Sequence, residues 1–371
     1  MIMPGLPELF TDDRPGARGS EQAGPRQPLG GLGSITTTRR EGWRQDAMKA
    51  VVQDRFGPPD VLQLMDMDLP EVGADDVLVR VRAAALNPAD WHFLRGDPLV
   101  ARLMGVGLSR PKARVAGIDA AGVVEAVGAN VRLLRAGDEV LGFCRGAFAE
   151  YACAAADKVV PKPTSLTFEQ AAAVPVAATT ALRGIRDVAG VKAGQRVLVN
   201  GAGGGVGTNA VQIAAALGAE VTGVCSPGNV DLVHSIGAAR VIDYTTEDFA
   251  DGRTQYDVIL DNISNLPLTR LRGALTANGT LVLNGGGSPG HMFGPVAAIV
   301  RAMVTSAFVS QRLRPLPSRQ DQDELLAITG LIEDGKLMPV VGRTYPLAET
   351  AEGLRAVEQG HARGKLVITV A

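Results

Sequence analysis

Five glycines fall within the seven residues 201–207, directly after a β-branched run, and this stretch limits what the chain can become. It reads Val197-Leu198-Val199-Asn200-Gly201-Ala202-Gly203-Gly204-Gly205-Val206-Gly207. A helical pattern follows, with Val206, Ala210, Ile213, Ala214 and Leu217 spaced to share one face. Strand, tight turn and helix in that order is the setting in which a glycine-rich loop becomes a diphosphate site. A helix N-terminus offers unpaired N–H groups and a partial positive charge, and only residues without side chains let a pyrophosphate approach the backbone. Ala202-x-Gly204-x-x-Gly207 is the dinucleotide fingerprint with alanine in its first position, enclosing Gly205 and Val206. The pattern alone also fits a flexible surface loop. The continuation Ala219-Glu220-Val221-Thr222-Gly223-Val224-Cys225 reads as the second strand of a βαβ unit, the context that gives the fingerprint meaning.

A chain of 371 residues is long enough for about two domains. Its net charge of −2 gives no electrostatic reason to bind nucleic acid or an anionic membrane, and basic–aromatic stripes are absent. Cys144, Cys153 and Cys225 are odd in number and form no CxxC pair, which fits a reducing cytoplasm and argues against a cysteine-built zinc site. Residues 1–47 stand apart, rich in proline, glycine and arginine, with no apolar period; they are expected to be a disordered extension. Arg39-Arg40 is followed by Glu41-Gly42-Trp43-Arg44 rather than by the apolar core of an export signal, and the functional chain is expected to start at Met48. The longest apolar candidate, Met292 to Val309, is interrupted by Gly294, Pro295 and Arg301; it falls short of the roughly 20 apolar residues a bilayer requires and reads as a buried helix at a cleft or subunit contact.

From Met48 onward, glycine-punctuated strands come first. Val77-Leu78-Val79-Arg80-Val81-Arg82 alternates with period two, and Gly122 to Gly128 and Gly137 to Gly142 give further strands. Short strands followed by alternating strands and helices predict a small β-barrel-like domain beside a doubly wound sheet. Asn87-Pro88-Ala89-Asp90-Trp91, Gly117-Ile118-Asp119-Ala120-Ala121-Gly122-Val123-Val124, Gly146-Ala147-Phe148-Ala149-Glu150-Tyr151, the glycine loop, Val241-Ile242-Asp243-Tyr244 and Gly364-Lys365-Leu366-Val367-Ile368 occur in that order. Together they resemble the medium-chain dehydrogenase/reductase superfamily, in its zinc-independent, quinone oxidoreductase-like branch. The resemblance spans Met48 to Ala371. It implies an α/β chain in which a GroES-like, β-rich catalytic domain (48–172) is interrupted by a Rossmann doubly wound parallel-sheet domain (173–316), with 317–371 returning to the former.

Zinc-dependent members of the superfamily carry a cysteine and a His-Glu pair where this chain has Asn87-Pro88-Ala89-Asp90 and Gly117-Ile118-Asp119. His92, His234, His291 and His361 are not at ligand spacing, so no zinc is expected. Without a Lewis acid to hold an alkoxide, oxidising a simple alcohol is hard, whereas a quinone or α,β-unsaturated ketone delocalises its charge onto oxygen and needs mainly positioning and a few donors. An acid at the end of the second strand would mark NAD, but Cys225-Ser226-Pro227-Gly228-Asn229 holds none. Ser226 is either a donor to a 2′-phosphate or a loop hydroxyl in water, with Asn229 beside it as a second polar candidate; NADPH is favoured, with NADH as the alternative. The resemblance adds Tyr244 at the 2′-phosphate, Asn262, Asn284 and Gly285 near the nicotinamide ribose, and Thr180 near the carboxamide, although turn asparagines and a capping threonine would read the same way. Gly286 to Gly290 is expected as a mobile rim.

Asn87 is the candidate side-chain donor to substrate or nicotinamide ribose, or else a turn residue before Pro88. His92 falls where the resemblance places a cleft tyrosine; it either orients the carbonyl or gives a proton, or else it has no role and water delivers the proton. The reading is an NADPH-dependent reductase of quinones or conjugated carbonyls, working without zinc, cytoplasmic and, by resemblance, a homodimer, with a small-molecule substrate and no nucleic-acid or membrane partner. A zinc-free NAD(P)-dependent alcohol or aldehyde oxidoreductase and a non-catalytic nucleotide-binding redox sensor are the alternatives.

Overall fold

A computed structural model describes residues 47–97, 107–285, 301–360 and 362–371. The expected extension (but for residue 47), the rim Gly286–Gly290 and the first part of the apolar stretch beginning at Met292 lie outside the described residues.

In chain order, β1 (Met48–Val52) and β2 (Gln63–Met67) form an antiparallel pair. Then come β3 (Asp76–Ala85), α1 (Pro88–Arg95), β4 (Asp119–Val127), β5 (Glu139–Phe143), β6 (Tyr151–Ala155), β7 (Val159–Pro161), α2 (Phe168–Ala172) and α3 (Pro175–Leu182). A nucleotide-fold-like alternation follows: β8 (Arg196–Asn200), α4 (Gly205–Ala216), β9 (Glu220–Cys225), α5 (Val230–Ser235), β10 (Arg240–Asp243), β11 (Tyr256–Asp261), α6 (Leu268–Gly273), β12 (Leu275–Leu283) and β13 (Arg312–Pro315). The chain ends with α7 (Gln322–Glu333), β14 (Val341–Pro346), α8 (Thr350–Glu358) and β15 (Lys365–Thr369).

Two large sheets result. The six-stranded one is parallel, in the order β10-β9-β8-β11-β12-β13, and its order reverses beside β8, the strand that feeds the glycine loop. The other is mixed and runs β14-β15-β3-β4-β5-β7, with β6 also on β3. The ten residues of β3 make this sheet curl: its first half pairs with β6, as in Asp76 opposite Ala155, and its second half pairs with β15, as in Ala85 opposite Val367. Arg80 and Arg82 point to solvent while Val79 and Val81 are buried, as the period-two pattern predicts. A GroES-like domain and a Rossmann-type domain are thus both present.

One apolar cluster runs from Ala83, Ile118 and Leu141 through Ala178 and Leu182 of α3 to Val197, Val199 and Ile213, so α3 is shared between the sheets. Arg183, at the end of α3, is buried against Glu324 of α7 (Nε to Oε1, 2.9 Å) and donates to the carbonyls of Pro317 and Arg319. Removing one partner of such a pair strands a buried charge, at a cost of about 3–5 kcal/mol.

Two expectations differ. Leu217 does not share the buried face of α4: the helix ends at Ala216, Gly218 turns the chain at a φ of 80°, and Leu217 is 37% exposed. In the described part of the apolar stretch only Ala302 is buried, while Met303, Val304 and Phe308 are exposed.

Candidate functional site

The glycine loop is tied to its neighbours before it meets any ligand. Gly201 adopts a φ of 80°, and the N–H groups of Gly201 and Ala202 both donate to the Val224 carbonyl, at 3.1 and 2.9 Å. Ala202 is fully buried beneath the turn. A Cβ on Gly207 would lie 2.0 Å from the Gly201 carbonyl oxygen, and one on Gly203 would lie 2.7 Å from the Asn229 amide. A Cβ on Gly204, by contrast, would touch only the Gly201 oxygen, at 3.6 Å. The loop is therefore closed on its protein side and open above Gly204. Gly204 is also the cap of α4, has no side chain to satisfy the first-turn N–H groups, and no acidic residue stands in that turn. These residues fit the diphosphate of a dinucleotide. Gly205 faces the stem of Lys365, and half-buried Val206 packs onto the shared core.

The strand ends beside the loop bring the other predicted residues together. At the end of β9, Asn229 is buried under Gly203 and donates through Nδ2 to Ser226 Oγ (3.1 Å); the Tyr244 N–H donates to the Cys225 carbonyl, leaving the Tyr244 ring exposed. On the opposite side an amide chain runs across three strand ends: Asn284 Nδ2 donates to Asn262 Oδ1 (2.9 Å), and Asn262 Nδ2 to the Asn200 carbonyl (3.0 Å). Asn200 Nδ2 donates to Asp261 Oδ1 (2.8 Å), which also accepts the N–H groups of Ile263 and Ser264. Ser264 has a φ of 57°, alone in this respect among the described residues other than glycine. A conformation of this kind costs of order 1–3 kcal/mol, and the fully buried Asp261 carboxylate holds it. Gly285 is exposed at the end of this row. Thr180 is half-buried on α3, one turn beyond Ala177, whose Cβ lies 3.8 Å from where a Gly205 Cβ would be.

Asn87 caps α1 but is not free to serve a ligand in this arrangement. Its Nδ2 donates to the Ala85 carbonyl (3.3 Å) and to Asp119 Oδ2 (3.0 Å), and its Oδ1 accepts from Lys365 Nζ (2.7 Å). The physical reason is burial: Asn87, Asp90, Asp119 and Lys365 are all enclosed, so each must satisfy the others. Asp90 accepts the Asn87 N–H at 2.7 Å, yet burial dominates and pushes its carboxyl up to about 7, with the nearby Asp119 charge adding to the rise. Burial also raises Asp119, against the pull of Lys365.

Among the described residues, the His92 ring stacks on Trp91 at 3.7 Å, and its Nδ1 lies 3.1 Å from the Asp97 carbonyl. Burial lowers its pKa, favouring a neutral ring. The three cysteines are buried, and burial pushes Cys144 up to about 12 and Cys153 and Cys225 to about 11.

Comparison with known proteins gives the family. The alcohol dehydrogenase GroES-like domain family matches residues 73–164, and the zinc-binding dehydrogenase family matches residues 236–368. A mitochondrial NAD(P)H oxidoreductase of Mus musculus is 32% identical, with 93% of each chain covered. The chain belongs to the medium-chain dehydrogenase/reductase superfamily, in its quinone oxidoreductase-like branch. It is an NAD(P)H-dependent oxidoreductase. Within that superfamily, the quinone oxidoreductase of Sus scrofa is 31% identical over 87% of this chain and 98% of its own. The solved quinone oxidoreductase from Coxiella burnetii superposes with a TM-score of 0.77 at 32% identity, covering 88% of this chain and all of that one.

Among the described residues, no three His, Cys, Asp or Glu side chains converge on a point that could hold a metal. Also among the described residues, no helix is long and apolar enough to cross a membrane.

Two groups of residues were given no role in the site from the sequence. Lys365 and Asp119 each head a run of apolar residues at the start of a strand, Lys-Leu-Val-Ile and Asp-Ala-Ala-Gly-Val-Val, and a charge heading a buried run was the available signal. Asn200 and Asp261 both end parallel strands, and polar residues at that edge carried the same hint.

Proposed function

We propose that the chain is an NADPH-dependent reductase that delivers hydride to quinones or α,β-unsaturated carbonyl compounds without zinc. The observation that carries this reading is the loop from Gly201 to Gly207, sealed against protein at Gly203 and Gly207 and open above Gly204 at the head of α4. A reduced nicotinamide, when bound, supplies the hydride. The chain's own residues bind and orient. Gly204, Gly205, Val206 and Gly207 present the helix N-terminus to the diphosphate, with Ala202 filling the space below. Ser226, Asn229 and Tyr244 take the adenosine side, where a strand end without a carboxylate favours a 2′-phosphate. Asn262, Asn284 and Gly285 form the shelf for the nicotinamide ribose, and Thr180 faces the carboxamide.

Zinc-free chemistry is supported by the fate of Asn87 and Asp119, whose side chains are engaged with each other and with Lys365, and of Asp90, whose carboxylate accepts the Asn87 N–H. A polarised acceptor needs no Lewis acid, because its charge leaves the attacked carbon for oxygen, and water or His92 then returns a proton there. The division of the chain at 173 and 316, a homodimeric state and a cytoplasmic location belong to the same proposal, although the mouse relative is named as mitochondrial.

The test is a calorimetric titration of the purified chain with NADPH and NADH, followed by steady-state assays against a panel of quinones, enones and simple alcohols. The expected result is tighter binding of NADPH and turnover of quinones or enones but not of alcohols. Binding of neither nucleotide would overturn the reading, as would activity that a chelator abolishes and zinc restores.

A further inference from the structure

The Gly364-Lys365 step, where the chain returns to the first sheet, touches both halves of the candidate site. Its backbone meets the glycine loop: the Gly364 N–H donates to the Gly203 carbonyl at 2.7 Å, and Gly364 and Gly204 form a parallel bridge. The Lys365 stem packs so closely on the head of α4 that a Cβ at Gly205 would lie 2.6 Å from its Cδ. The ammonium then crosses to the other side, reaching the Leu86 carbonyl (2.9 Å), Asn87 Oδ1 (2.7 Å) and Asp119 Oδ2 (3.3 Å). The second Asp119 oxygen accepts the Val176 N–H (3.0 Å) at the start of α3, the helix shared by both sheets.

An ammonium has three protons, and here three acceptors take them. None is left for a substrate, so Lys365 does not act on the reacting atoms. A charge held this deep is poor stabilisation compared with a well-packed apolar side chain, and its better-attested use is to select one arrangement over near alternatives. The arrangement fixed here is the separation between the glycine loop and the cap of α1, the helix that carries His92.

We propose that Lys365 is a positioning residue: it registers the nucleotide loop against the α1 wall of the cleft, and so sets the distance over which hydride is delivered. This rests on the functional reading above. Reacting atoms must lie about 3–3.5 Å apart, and a misplacement of about 1 Å costs on the order of a hundredfold in rate. The nucleotide's own cradle, built by Gly201 to Gly207, does not depend on the ammonium. Loss of the ammonium therefore lowers kcat while sparing nucleotide affinity.

The experiment compares the full chain with Lys365→Met, which keeps the stem, and with the double variant Asp119→Asn/Lys365→Met, which leaves no buried charge unpaired. NADPH dissociation constants and binding stoichiometry come from calorimetry, and kcat per nucleotide-binding site from a quinone or enone assay. We expect both variants to bind NADPH within about threefold of the parent chain, while kcat per site falls by a factor of about 30 to 100. Equal kcat per site in a folded variant overturns the proposal, and so does a loss confined to nucleotide affinity. If neither variant folds, even with NADPH present, the network is a folding determinant and the proposal is likewise overturned. If the parent chain itself takes up no nucleotide, it is the functional reading that has failed.

Discussion

Gly204→Ala separates a loop shaped for its own packing from a loop shaped for a ligand. The residue sits at φ −85° and ψ 177°, a conformation alanine adopts without strain. Its added Cβ would meet one atom, the Gly201 oxygen, at 3.6 Å, an ordinary van der Waals contact. On the protein side the substitution is therefore free. By restricting the unfolded chain it even adds about 0.4–1 kcal/mol of stability, worth a few degrees of Tm at most in a protein of this size. On the ligand side the methyl group stands where a diphosphate approaches the backbone. The loss of one charge-assisted hydrogen bond costs about 1.5–3 kcal/mol, or roughly a 10- to 150-fold rise in the NADPH dissociation constant. The assays are a thermal melt without nucleotide and a calorimetric NADPH titration. The expected pair is an unchanged or slightly higher Tm with greatly weakened binding. Unchanged affinity would mean that the space above Gly204 is not where the nucleotide lies.

The neighbouring substitution reverses the pattern. Gly207→Ala drives a Cβ to 2.0 Å from a backbone oxygen and 2.7 Å from the Ala202 Cα, neither of which can rotate away, so a loss of about 1–3 kcal/mol and a Tm lower by several degrees are expected by scanning calorimetry. Asp90 gives a pH signature. Its folded-state value near 7 exceeds the ordinary 3.8, so the folded chain holds the proton more tightly and its stability falls as pH rises through that window. Asp119, which burial also raises, adds a slope of the same sign; Asp90→Asn removes the Asp90 share, up to about 4 kcal/mol between pH 4 and pH 7, and a denaturant series with an undiminished slope would refute the assignment. His92→Phe is expected to lower enone turnover less than a hundredfold, because burial keeps the ring neutral and its contacts are with Trp91 and Asp97; complete loss of turnover with intact NADPH binding would show it to be an essential acid.

The fold was readable where local pattern and global architecture agree. The β8–loop–α4 unit announced itself through β-branched residues, glycine spacing and helical period, and the Val79–Arg82 alternation predicted which residues face water. The curling of β3 was not readable, since no residue of it says that half will pair with β6 and half with β15, some 280 residues later in the chain than β3 itself. In the site, single residues were easier to name than the neighbours that hold them. Asn87 was singled out as a donor, but what decides its behaviour is burial beside Asp90, Asp119 and Lys365, residues that topology brings together and linear spacing does not. Asn262 and Asn284 were named by resemblance, while Asn200 and Asp261, which hold them through hydrogen bonds, come from strands whose order in the sheet is unknown until it forms.

The placement of β15 between β14 and β3 has a consequence for synthesis. The parallel sheet is built from one continuous stretch and can assemble while the ribosome is still translating. The mixed sheet cannot, because the strand that completes it is read about 280 residues after the one it joins. Until then the second half of β3 shows a bare edge, the kind of surface that invites pairing with another nascent chain. Closing a contact of such long separation is slow, so this final insertion is the step at which a growing polypeptide of this design is most exposed to aggregation.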